Sequence, residues 1–107
     1  MHEGQMAAQD LPELHSKEFV AMSLLVAAAK PMYGLEMVER SEGELKRGTV
    51  YITLNRLEAK GYVTSKKEPE QPGIAQPRRL YNVTGLGERA FRAVEASRVS
   101  LMEAFAS

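Results

Sequence analysis

The chain has 107 residues, 14 Lys plus Arg against 14 Asp plus Glu, 44% hydrophobic residues and no cysteine. That length suits one domain with one modest core, and the apolar and charged content suits a soluble, globular chain. The lack of cysteine excludes disulfides, thiol catalysis and cysteine-based zinc sites. The longest nearly unbroken apolar run, Phe19 to Ala29, is too short to span a bilayer. Glu3 and Asp10 stand where a signal peptide would carry a basic start and an apolar stretch, so a cytoplasmic location is expected.

The zero net charge conceals a segregation. Residues 1–44 hold eight acids and three bases, net −5; residues 45–80 hold eight bases and three acids, net +5; residues 81–107 hold three of each. Such asymmetry says more about partners than the total does.

In chain order, residues 1–14 show no sustained period and are expected to be a mobile arm. Ser16 can cap a first helix running to about Ala29 and ended by Pro31. That helix is apolar all round, with Val20 and Leu24 on one side and Met22, Leu25 and Val26 on others. It therefore needs a second surface besides its own domain, most simply another subunit. A short second helix is expected from Tyr33 or Gly34 to about Arg40, with Leu35 and Val38 inward and Glu36 and Glu39 outward.

A third helix is expected from Arg47 to Lys60, stopped by Gly61 in a left-handed conformation. Val50, Leu54 and Leu57 form its core stripe, and Thr49, Thr53, Arg56 and Lys60 a separate polar stripe. Tyr62–Lys67 and Arg79–Val83 read as strands around a Pro- and Gly-rich loop at 68–77, making a hairpin. Thr84 can cap a last helix to about Ala106, roughly 33 Å long. Its apolar face, with Leu86, Ala90, Phe91, Val94, Leu101, Met102 and Phe105, is wider than one small domain needs.

This order predicts a mainly α fold with a small β-hairpin: a winged helix-turn-helix over 15–83 and a long C-terminal dimerisation helix over 84–107. The third helix would enter the major groove of double-stranded DNA while the hairpin, or wing, lies along flanking phosphates. Both elements fall in the +5 block. Thr49, Thr53 and Arg56 are the candidate groove contacts, with Ile52 at the edge; Tyr51 either joins them or packs toward the second helix. Lys46 and Arg47, near the helix's positive end, suit phosphates. Lys66, Lys67, Arg78 and Arg79 are the wing's candidates, although strand alternation lets only about half meet one phosphate row. The bland alternative for the wing is a solubilising strand edge.

Three stretches also resemble the PadR-like (phenolic-acid-repressor-like) transcriptional regulators. Pro31-Met32-Tyr33-Gly34-Leu35-Glu36-Met37 resembles that family's second-helix entry, and residues 48–63, Gly48 to Val63, resemble its recognition-helix signature. Residues 77–87, Pro77 to Gly87, resemble its wing return strand and final helix cap. The resemblance covers about residues 16–106 and is to the short branch, in which one C-terminal helix follows the wing and serves dimerisation. It implies a homodimeric regulator, a repressor on a pseudo-palindromic operator, and it leaves room for a small-molecule effector. The sequence departs from the pattern at Lys46, where a capping Ser or Thr is common.

The dimer surface is expected to comprise Val20, Leu24, Phe91, Val94, Arg98, Leu101, Met102 and Phe105. Arg98 lies inside the apolar stripe, where it either snorkels to water or anchors the interface. An effector cavity of the dimer, lined by Met22, Phe91, Val94 or Met102, is a further reading, against which stands their simple use as core. His2 and His15 have no cysteine or paired carboxylate beside them, so neither a metal site nor a cofactor is expected, and no catalytic constellation is visible. The rival from another class is a winged-helix protein–protein module whose basic block meets an acidic partner.

Overall fold

The computed structural model describes residues 12–69, 72–73 and 78–106. Most of the predicted arm, residues 1–11, and part of the wing loop, residues 70–71 and 74–77, lie outside them. The elements run α1 (Ser16–Ala28), β1 (Met32–Tyr33), α2 (Gly34–Arg40), α3 (Val50–Ala59), β2 (Val63–Lys67), β3 (Arg79–Val83) and α4 (Gly85–Ala106). The sheet is antiparallel with order β1-β3-β2. This is the winged helix-turn-helix that the order of elements predicts.

Residues 12–14 do not behave as an arm: Leu14 is buried in the core. The cap of α1 is His15, not Ser16, and its backbone N–H donates to Glu18 Oε1 at 2.8 Å. The helix ends at Ala29, held at φ 54° with its N–H bonded to the Leu25 carbonyl. Met22 and Leu25 are fully enclosed, whereas Val20 and Leu24 are half-buried against the same core. Strand β1 is an element the sequence reading lacks. Two residues carry too little periodicity to announce a strand, yet Met32 pairs with Tyr81 and Tyr33 with Leu80.

In α2 Met37 is the fully inward side chain, Val38 packs partly buried against the core and Glu39 faces out as expected, whereas Leu35 is exposed instead of inward. The turn to α3 is clasped by buried Ser41. Its hydroxyl donates to the Val38 carbonyl and accepts the Leu45 N–H at 2.9 Å. Glu42 (φ 53°) and Gly43 (φ 90°) then reverse the chain.

Helix α3 starts at Val50, three residues later than expected. Thr49 has φ −129°, outside helical geometry, and no side chain caps the helix. Its C-terminus closes as predicted at Gly61, φ 80°, with Gly61 N–H on the Glu58 carbonyl and Tyr62 N–H on that of Leu57. That pair of bonds is a Schellman motif.

Helix α4 is capped by Thr84, whose Oγ1 accepts the Gly87 N–H and donates to the Gly61 carbonyl. Only its first half enters the core, through Ala90 and Phe91. Phe91 stacks on Phe19 with ring centroids 5.0 Å apart, so it is a core residue of the subunit rather than a dimer contact.

Candidate nucleic-acid interface

The exposed face of α3 differs from the predicted polar stripe. At 100° per residue, Thr53 falls only 40° from Leu57, and it is 8% exposed, enclosed with Val50, Leu54 and Leu57. It cannot reach a base edge from there. Lys60 is also withdrawn: its Nζ lies 2.9 Å from Glu18 Oε1 and donates to the Glu13 carbonyl. Glu18 is 2% exposed while Lys60 keeps part of its side chain in water, and the pair joins the start of α1 to the end of α3.

Opposite the core stripe, the outward residues are Ile52, at 53% exposure, with Asn55, Arg56 and Ala59. Asn55 is absent from the predicted site. Its place follows from the core stripe alone, since residues facing away from 50, 54 and 57 are 52, 55 and 59. An asparagine can bind adenine through two hydrogen bonds, an arginine can do the same with guanine, and Ile52 can contact a thymine methyl. Thr49 is exposed at the helix entrance, alongside Lys46 and Arg47. The backbone of this entrance turns on Lys46, whose carbonyl accepts the N–H groups of Thr49 and Val50.

Tyr51 packs toward the second helix and still keeps an exposed face. Its ring packs on Gly34, where a Cβ would approach Tyr51 Cε1 to 2.7 Å, yet it remains 43% exposed. A larger residue at 34 would push the Tyr51 ring from this position.

The register of the wing sorts its bases. Ser65 pairs with Tyr81 and Lys67 with Arg79, so these four side chains share the face that packs toward α3. Lys66 projects to the opposite face, beside Pro31 and Leu80. Arg78 lies 4.4 Å over the Tyr33 ring and 3.8 Å from Glu68 Oε1, which also accepts the Tyr33 hydroxyl at 2.7 Å. That hydrogen bond, with some burial, raises the Tyr33 pKa above the ordinary 10.0. Arg79 donates to Ser65 Oγ at 3.0 Å. Tyr33, Leu35, Glu36, Glu39, Tyr51, Arg78 and Arg79 line a cleft of about 240 Å³ between α2, α3 and the wing.

Among the described residues, Lys46, Arg47, Arg56, Lys66, Lys67 and Arg79 make no ion pair within 4.0 Å. The basic block thus presents uncompensated positive charge around the outward face of α3. Glu36 and Glu39 of α2 border that surface, across the cleft from Arg78 and Arg79.

The remaining predicted residues cluster around α4. Leu101, Met102 and Phe105 are exposed, Phe105 at 83%, with Val99 beside them. Arg98 stacks over the Phe19 ring at 3.7 Å with its side chain at the surface of the subunit, a position open to water or to a second subunit. The residues considered for an effector cavity at the dimer seam sit differently within one subunit. Met22 and Phe91 are core and Met102 is distant along the helix, whereas Val94 lines a cleft of about 210 Å³ with Pro12, Ala93, Ser97 and Arg98.

With the fold and this surface in place, the comparisons agree. The model of the transcriptional regulator PadR-like family matches residues 23–93, well over half the chain, and the protein belongs to that family. No curated protein matches the sequence significantly. A PadR-like transcription factor from Bacteroides fragilis superposes with TM-score 0.71 at 27% identity, over 82% of this chain and 84% of that one. A PadR family transcriptional regulator from Eggerthella lenta does so with TM-score 0.68 at 28% identity, over 80% and 77%. Bacillus subtilis PadR, solved in complex with operator DNA, shares the fold with TM-score 0.62 at 17% identity, over 73% and 46%. No helix among the described residues is long and apolar enough to cross a membrane.

Proposed function

We propose that this transcriptional regulator is a homodimeric repressor that reads a pseudo-palindromic operator in double-stranded DNA. The observation that carries the reading is the α3 face of Ile52, Asn55 and Arg56, flanked by unpaired bases on the entrance turn and the wing. The operator complex of Bacillus subtilis PadR, a protein of the same fold, supports it. In this reading Asn55 and Arg56 specify bases, while Lys46, Arg47, Lys67 and Arg79 hold phosphates and set register.

Residues 15–83 form the reading head and α4 joins two of them. The apolar, exposed second half of α4 supports that role, because Leu101, Met102 and Phe105 find no cover among the described residues of their own subunit. Half-sites then lie about one helical turn apart. Repression follows from occlusion of a promoter. An effector, where one acts, would relieve it by shifting the population of head spacings; the cleft beside Arg98 and Val94 is the place to seek it.

Selection of bound sequences from random DNA tests the reading. The expected result is an inverted repeat; an unrepeated half-site rejects the dimeric version. No measurable duplex binding at low salt rejects DNA recognition and favours the protein–protein module.

A further inference from the structure

Two arginines begin the return strand of the wing, and the structure holds them differently. Arg78 meets a carboxylate directly, at 3.8 Å from Glu68. Arg79 meets only a neutral hydroxyl, Ser65 Oγ, at 3.0 Å, and makes no ion pair within 4.0 Å among the described residues. Ser65 is in turn gripped by α3. Its N–H donates to Glu58 Oε2 at 3.1 Å, and its hydroxyl lies 2.9 Å from Oε2 and 3.1 Å from Oε1. A carboxylate near the C-terminus of the recognition helix therefore fixes the hydroxyl that fixes the arginine.

We infer that Glu58 is a positioning residue for DNA binding: through Ser65 it aims the Arg79 guanidinium at the phosphate row while leaving that charge unneutralised. The inference rests on the DNA-binding reading above. Several features converge on it. The Ser65 N–H points away from β3 at the free edge of β2, and Glu58 takes up this otherwise unpaired donor, locking the strand to the helix. The serine hydroxyl can donate to only one acceptor at a time, so giving its proton to Glu58 leaves its lone pairs for Arg79. Arg79 shares the α3-facing side of the wing with Lys67, so the relay orients the side on which wing and helix act together.

The relay also explains why an acid is tolerated beside a phosphate-binding surface. A bystander carboxylate there would repel DNA, and removing it would tighten binding. A positioning carboxylate predicts the opposite sign, which makes the idea directly testable.

The experiment measures binding of the full chain to a mixed-sequence duplex about three helical turns long at fixed low salt, with thermal melts confirming that each variant is folded. Glu58→Ala is expected to weaken binding about fivefold to tenfold despite removing a negative charge. Glu58→Gln carries the same charge as alanine but keeps an acceptor for Ser65, and should fall between alanine and the parent. Ser65→Ala cuts the relay from its other end and should match Glu58→Ala. Arg79→Ala should weaken the parent by a similar factor but cost less than about twofold in the Glu58→Ala background. Binding by Glu58→Ala equal to or tighter than the parent overturns the inference, as does an undiminished Arg79→Ala effect in that background. A parent chain that binds no duplex instead rejects the DNA-binding reading itself, and the positioning role falls with it.

Discussion

A Cβ built on Gly87 would sit 2.0 Å from the carbonyl oxygen of Tyr62, a backbone atom that no side-chain rotation can move aside. Gly87→Ala is therefore expected to cost about 2–3 kcal/mol, read as a lowered denaturation midpoint. Lys60→Ala would strand the Glu18 carboxylate, one oxygen of which already lacks a hydrogen-bond partner among the described residues. The expected loss is about 2 kcal/mol, below that of a fully buried pair because Lys60 keeps part of its side chain in water. Glu18→Gln in that background should restore much of it. Burial raises the Tyr81 pKa above its ordinary 10.0, the main cause opposed by Arg79. Because the folded pKa is the higher one, stability from the neutral phenol is intact below pH 10 and is lost as pH rises through the elevated value. A denaturation series on the alkaline side, compared with Tyr81→Phe, measures this; equal slopes would refute it.

At the scale of elements, the long periodic segments were legible and the short or flanking ones were not. Helices α1, α3 and α4 follow from apolar spacing and from Gly61 and Thr84, which terminate and cap as their chemistry demands. Strand β1 exists only because β3 offers an edge to Met32 and Tyr33, which is tertiary information. On α3 the difference between pattern and structure is angular. Thr53 lies on the flank of the core stripe, where an approaching neighbour decides between water and protein, and here it is buried. Lys60 left the polar stripe because Glu18, far away in sequence, attracted it. Asn55 replaces Thr53 in the candidate reading surface. Asn55→Ala and Arg56→Ala are each expected to weaken selected-site binding by about 1–3 kcal/mol while changing non-specific binding much less. Titrations of both duplex types distinguish this from a general loss of charge.

Taken whole, the molecule separates its charge along its surface, with bases on the entrance turn, α3 and the wing, and acids on α2 and its neighbours. Overall neutrality limits long-range attraction to nucleic acid, so affinity should depend on a few close phosphate contacts. Binding to mixed-sequence duplex should fall with a log–log salt slope near −0.9 per contact, and Lys67→Ala should reduce that slope by about one. Lys66→Ala, on the opposite face of the wing, should leave it nearly unchanged. Equal effects would contradict the sorting of the wing's bases by register. In the proposed dimer, Phe105→Glu should yield monomers in sedimentation and weaken operator binding while leaving the melting of the subunit little altered, because Phe105 touches no core.

Helix α4 has a mechanical consequence. It is a rod of roughly 33 Å, anchored at one end by Phe91 and the Thr84 cap and bare at the other. In a dimer joined at the bare ends, the rod acts as a lever. A tilt of one degree at the joint displaces the anchored end by roughly 0.6 Å over that length. A few degrees would carry the two reading heads out of step with successive major grooves, so a small strain placed beside Arg98 or Val94, midway along the rod, would be read out at the DNA as a change in span.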